Sequence, residues 1–161
     1  MGRSKTFSPG RQVSAFRRLA DQGFITDLTF KNSPSSGAIT WNFRMGKVTF
    51  QTDAGSEECN FTNYYLKVRY TPTAPPVVYI LEPTLPKRTK HLHKDGSLCL
   101  YKSSNWQWQN DMQFDRDLFS TVCGWIYYHE KFLQTGIWYG EEATHEMPET
   151  IYQDFLKFIK L

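Results

Sequence analysis

The chain has 161 residues, of which 16% are aromatic and 22% charged, with a net charge of +3 and three Cys. That length fits one domain, residues 1–161, with a core of its own, and the aromatic weight excludes a disordered tail. Three scattered Cys exclude a disulfide-stapled miniprotein, and so mild a charge permits nucleic-acid binding without demanding it.

The basic N-terminus, with Arg3 and Lys5, has no apolar stretch behind it, so no secretory signal is read. A cytoplasmic location with reduced thiols is expected. Gly10 to Gly23 reads as a helix: Val13, Phe16, Leu19 and Ala20 fall at helical spacing and Gly23 stops it. Arg11, Arg17 and Arg18 lie off that stripe and are expected to face outward, as a solvated surface or as a docking surface for a partner protein.

Asn32 to Gly37 is a loop by composition, and extended segments follow. Ile39, Trp41 and Phe43 alternate with polar residues. Met45-Gly46-Lys47 connects to Val48-Thr49-Phe50, and Tyr65 to Tyr70 forms the next segment. Pro72, Pro75 and Pro76 lead into Val77 to Leu81, a fourth strand too short to span a bilayer, so no membrane contact is expected. Pro83 to Asp111 shows no period of either kind, and a loop of that length in a compact domain is usually functional. Phe114 to Thr135 is helical, with Leu118, Val122, Trp125, Ile126, His129 and Leu133 on one stripe and Gly136 at its end. Pro148 to Lys160 is a further short helix. The expected fold is α+β: an N-terminal helix, a four-stranded antiparallel meander, a long active-site loop and C-terminal helices.

The loop concentrates the chemistry. Lys87, Arg88, Lys90, Lys94 and Lys102 stand there against Asp95 alone, together with His91, His93 and Cys99. Positive charge favours the thiolate, which is the nucleophilic form. Cys59 follows Glu57 and Glu58, which disfavour it, and Cys123 lies within the helix as core filler. Other chemistries fit less well. A Cys-His hydrolase places its nucleophile at a helix start, which Leu100-Tyr101-Lys102 does not provide. A metal site from His91, His93, Cys99 and His129 lacks paired ligand spacing, so no metal is expected. Trp106 and Trp108 near the basic loop could stack bases. They are read instead as cover for the loop and a seat for the second helix, and no nucleic acid is expected.

The order Tyr65 to Tyr70, Pro72, Pro75-Pro76, Val77 to Leu81, His91-Leu92-His93, Gly96-Ser97-Leu98-Cys99-Leu100 and Trp106 or Trp108 resembles ubiquitin-conjugating enzymes. In that family a strand, a Pro-rich segment, a second strand and a His-Pro-Asn motif precede Gly-x-Ile/Val-Cys-Leu and a Trp. More narrowly, His91 with Asp95 to Tyr101, and the later Trp125, Tyr128, Glu130, Thr135-Gly136, Trp138 and Gly140, are similar to the stand-alone bacterial members encoded in antiphage CBASS operons.

The resemblance implies that Cys99 accepts the activated C-terminus of a partner protein as a thioester and transfers or holds it. The implied acyl donor is the operon's cGAS/DncV-like nucleotidyltransferase, with a ubiquitin-activating-like enzyme as a further partner and no cofactor. Both steps pass through an oxyanion, which needs preorganised donors. The family's His-Pro-Asn is absent here. Counted back from Cys99 without a gap, His91 takes the Asn place; with a shorter loop, His93 does. Asp95 and Gly96 shape the turn before Cys99, and the Gly supplies either positive φ or close approach. Ser97, Leu98, Tyr101, Trp106 and Trp108 complete the active-site loop. By similarity to the family's use of its first helix, Arg11, Arg17 and Arg18 form the docking surface. The rival reading is a binding module on the same fold without thioester chemistry.

Overall fold

The computed structural model describes residues 9–52, 55–72, 74–100, 108–109 and 111–138. Helix α1 (Pro9–Asp21) is followed by strands β1 (Ile25–Ser33), β2 (Ala38–Met45), β3 (Lys47–Thr52), β4 (Gly55–Asn60), β5 (Tyr65–Thr71) and β6 (Ala74–Glu82). A π-helical turn, Phe114–Leu118, then runs directly into helix α2 (Phe119–Thr135). This is the expected α+β order. The C-terminal helix read at Pro148 to Lys160 lies outside the described residues.

The main sheet has four antiparallel strands in the order β1-β2-β5-β6, and β3 and β4 form a separate two-stranded sheet. Its membership differs from the meander read in the sequence. Val48 to Phe50 belongs to the separate hairpin, and the fourth place is taken by β1, whose strand runs on into the Asn32 to Gly37 loop as far as Ser33. Two facts hid β1. It is an edge strand exposed along most of its length, so no alternation marks it, and its register breaks between Thr26 and Thr29 where Asp27 adopts φ 55. Pro75 and Pro76 are tolerated in β6 because that strand lies at the opposite edge.

The core lies between the sheet and the helices. Phe16 of α1 stacks on Trp41 at 4.6 Å and on Phe114 at 4.5 Å, joining α1, β2 and the start of α2 in one aromatic column. Ala15, Phe16 and Leu19 are fully buried, as are Phe43, Leu66, Val68 and Val78 from the sheet. Gln12 is buried among them, because its amide donates to the Met112 carbonyl at 2.7 Å and accepts from the Phe114 N–H at 3.1 Å. At Gly46 the chain passes under the end of α1 so closely that a Cβ would lie 2.7 Å from the Gly23 carbonyl oxygen. Only Gly fits there.

Arg18 departs from the outward face expected for it. Its guanidinium grips the buried Asp115 carboxylate with Nε at 2.7 Å and Nη2 at 3.1 Å, and Nη2 also donates to Gln113. A buried carboxylate needs such a partner, and the fork of Arg meets both oxygens. Arg11 and Arg17 are exposed, as expected.

Helix α2 buries Val122, Cys123, Trp125, Ile126 and His129 and ends at Gly136, whose N–H donates to Phe132 at 2.8 Å. The β3–β4 hairpin is tied to its flank: Glu57 accepts from Tyr127 at 2.9 Å and pairs with Lys131 at 3.2 Å. No helix among the described residues is long and apolar enough to cross a membrane.

Candidate functional site

After Glu82 the chain leaves the sheet and folds back on itself as a short hairpin. Leu92 and Leu98 form an antiparallel bridge, which sets His91 opposite Cys99 and His93 opposite Ser97. The Cys99 N–H donates to the His91 carbonyl at 2.9 Å, and the His93 N–H donates to the Ser97 carbonyl at 2.8 Å. The Gly96 N–H closes the turn onto the His93 carbonyl at 2.9 Å. Gly96 has φ 87, and a Cβ there would meet nothing within 4 Å. Of the two reasons for Gly, positive φ is therefore the operative one, as in hairpin loops that end on a left-handed Gly.

The turn is braced from inside. Asp95 accepts from the Ser97 N–H at 2.9 Å, from the Ser97 hydroxyl at 2.6 Å and from the Tyr79 hydroxyl at 3.0 Å. The Ser97 hydroxyl and N–H, then Tyr79 and the His93 charge, hold the Asp95 carboxyl down at about 2. Two backbone bonds fix the hairpin to the rest of the domain. Leu98 N–H donates to the Val78 carbonyl on β6 at 2.9 Å, and the indole Nε1–H of Trp125 donates to the His91 carbonyl at 3.1 Å. One carbonyl thus holds both the Cys99 amide and α2. Leu98 and Leu100 point into the core, and Cys99 between them is half-buried.

The two His differ in setting. His93 is exposed at the hairpin tip. His91 is half-buried, adopts φ 59 and lays its ring 4.5 Å from Trp138. Left-handed backbone at a non-Gly residue is unusual and is held here by the two bonds to its carbonyl and by the ring contact. Trp138 belongs to an aromatic wall with Trp125, Tyr128 and Phe132. Arg88 and Lys90 rest on the outer side of that wall, 5.4 and 5.7 Å from the Phe132 ring. Trp108 packs edge-on against Tyr70 of β5 at 5.4 Å. Tyr101 and Trp106 lie outside the described residues.

Cys59 and Cys123 are placed differently. Burial and then the Glu57 charge push the Cys59 thiol up to about 11, and full burial raises the Cys123 thiol still further. His91, His93, Cys99 and His129 do not form a metal cluster: no group of three or more metal-capable side chains occurs among the described residues.

Sequence reasoning had no account of Tyr79, Trp125 and Trp138 as supports of the site. In the sequence Trp125 reads as a member of a core stripe and, with Trp138, of the run similar to the bacterial members, and Tyr79 as part of an apolar run. For Trp125 the available signal is its indole N–H, since a buried indole usually finds a partner.

The arrangement is a half-buried thiol on one arm of a short braced hairpin, with a His opposite, in a segment rich in Lys and Arg. No curated protein matches the chain. A family model described as Type II CBASS E2 protein matches residues 31–146, a span that takes in β2 to β6, the hairpin and α2. On that match, across most of its length, the chain belongs to the Type II CBASS E2 protein family.

Proposed function

We propose that this CBASS E2-like protein is a cysteine acyl carrier, with Cys99 as the nucleophile. The observation that carries the reading is the pairing of the Cys99 amide with the His91 carbonyl inside a hairpin bound to β6 and α2. That pairing gives the Cys99 backbone a fixed place, in a segment whose sequence carries Arg88, Lys90 and Lys94. In the reaction, the Cys99 thiolate attacks the C-terminal carbonyl of a partner protein already activated as a thioester or acyl adenylate. A carbon–sulfur bond forms, and the donor's thiolate or the adenylate leaves. An amine or water then attacks the Cys99 thioester; the new bond forms at carbon, and the sulfur departs and is reprotonated. His91, across the hairpin from Cys99, is the first candidate to steady the oxyanion of either step. His93, at the tip, is the second.

The acyl donor on this reading is the cGAS/DncV-like nucleotidyltransferase of the same operon, delivered by a ubiquitin-activating-like enzyme. The exposed Arg11 and Arg17 on α1 are the surface offered to a partner; Arg18 is engaged with Asp115.

Co-expression with the operon's partner proteins tests this by intact mass under non-reducing conditions. A protein adduct is expected on the wild type, cleaved by hydroxylamine and lost in Cys99→Ala. An adduct that a thiol releases and hydroxylamine does not is a disulfide and refutes the reading. No adduct in the presence of a competent activating enzyme refutes it too, and leaves a binding module.

A further inference from the structure

Asp95 is the only acid between residues 83 and 105, and both of its carboxylate oxygens are engaged. One oxygen takes both Ser97 donors, and the other takes the Tyr79 hydroxyl at 3.0 Å. Tyr79 is on β6 beside Val78. Because side chains alternate along a strand, the fully buried Val78 points to the core and Tyr79 points to the open face of the sheet. Lys67, its register partner on β5, places its ammonium 4.5 Å from the Tyr79 ring centroid on that same face.

The hairpin is therefore gripped on two sides of one strand. Val78 holds its backbone through Leu98, and the adjacent Tyr79 holds its tip through Asp95. Without the second grip, the tip from His93 to Gly96 would be tied to β6 only through the base of its own arm.

We infer that Tyr79 is a positioning residue for Cys99, acting through Asp95 to fix the turn from which the thiol is presented. The inference deepens the proposed function and rests on it for its acyl-transfer readout. Misplacement of a reacting group by about 1 Å costs up to 10²-fold in rate, so a brace of this kind acts on turnover rather than on partner affinity. The phenol ring and its Lys67 contact survive removal of the hydroxyl, so Tyr79→Phe deletes the brace alone.

Three variants of the full chain test it: Tyr79→Phe, Asp95→Ala and the double substitution. Loss of one hydrogen bond of about 1 kcal/mol corresponds to roughly 5-fold faster amide exchange at Ser97, Leu98 and Cys99 in Tyr79→Phe. Single-turnover thioester formation is expected to slow by roughly 5- to 10-fold, with the half-saturating partner concentration unchanged. The rate of Cys99 alkylation by iodoacetamide changes in the same variant. In the Asp95→Ala background, Tyr79→Phe adds nothing further to any of the three readouts. Additive effects in the double variant would overturn the inference, as would exchange and alkylation unchanged by Tyr79→Phe. If the wild type forms no adduct, the acyl-carrier reading fails by itself, while exchange and alkylation still decide whether Tyr79 places Cys99.

Discussion

Two hairpins stand off the main sheet, and each carries a half-buried Cys. Both are fastened to the same helix: β3–β4 through Tyr127 and Lys131 to Glu57, and the Cys99 hairpin through Trp125 to the His91 carbonyl. The backbone device is shared and the charge around it is opposite. Burial most of all, and then Glu57, push the Cys59 thiol up to about 11, with Lys131 opposing and Glu130 and Glu58 adding to the rise. Cys99 follows Lys90, His91, His93 and Lys94 in a segment whose one acid is committed to its own turn. The two hairpins thus differ in the charge written beside their Cys, and on the proposed reading that difference favours Cys99 as the nucleophile.

The largest expected effect tests that contrast directly. Cys99→Ala abolishes the partner adduct, whereas Cys59→Ala leaves it at the wild-type level, read by intact mass. With iodoacetamide at neutral pH, peptide mapping is expected to find label on Cys99 well before Cys59, which becomes reactive only as the pH approaches about 11. Equal labelling of the two at neutral pH breaks the comparison.

The next effect concerns the platform that both hairpins share. Arg18 holds the start of α2 through Asp115, whose side chain is 0% exposed against 34% for Arg18. Arg18→Ala strands a buried carboxylate. After allowance for the partial exposure of the Arg, the cost is about 2–3 kcal/mol. That is a fall in Tm of roughly 5–10 °C by calorimetry. Removing Asp115 as well is expected to restore part of the loss. An unchanged Tm in Arg18→Ala would return Arg18 to the surface with Arg11 and Arg17.

These cases also show what a sequence carries and where it stops. The stripe from Leu118 to Leu133, the alternation of β2 and the Gly96 turn are local patterns, and each is found in the fold as read. Strand β1 was hidden because an exposed, bulged edge strand has no apolar period. Arg18 was misplaced because its partner lies 97 residues away, and nothing in a helical wheel reveals a distant buried Asp. Gln12 was missed for the same reason. At the site, Cys99 is legible as a candidate, from the basic segment around it and from the resemblance carried by Gly96 to Leu100. Its supports are not, because Tyr79 and Trp125 act through one hydroxyl and one indole N–H that only tertiary contact brings to the hairpin.

A smaller effect sharpens the geometry of the turn. Gly96 at φ 87 has open space around its Cα, so Gly96→Ala costs only the left-handed backbone, about 1–2 kcal/mol. Faster amide exchange at Ser97 and Cys99 is expected, with the β3–β4 hairpin unaffected. Gly96→Asn, which tolerates that conformation better, is expected to recover much of the loss.

The smallest effect appears only as the pH falls. His129 is 1% exposed and stacks on Trp125 at 5.0 Å, the same indole that holds the His91 carbonyl. Burial, and secondarily the Arg88 charge, lowers its pKa below 6.5, while Glu130 opposes the shift. The folded state therefore binds its proton less readily than the unfolded state does. The stability this contributes is fully present above 6.5 and is lost as pH falls from there through the folded pKa. Trp125 holds the His91 carbonyl of the Cys99 hairpin, whereas the β3–β4 hairpin is tied through Tyr127 and Lys131 to Glu57. Mild acid should thus speed amide exchange at Leu98 and Cys99 before it speeds exchange at Glu57 and Cys59, and His129→Gln should remove the difference. Loosening of both hairpins together, or an acid response that survives in His129→Gln, would mean that Trp125 and His129 do not hold the Cys99 hairpin separately from its neighbour.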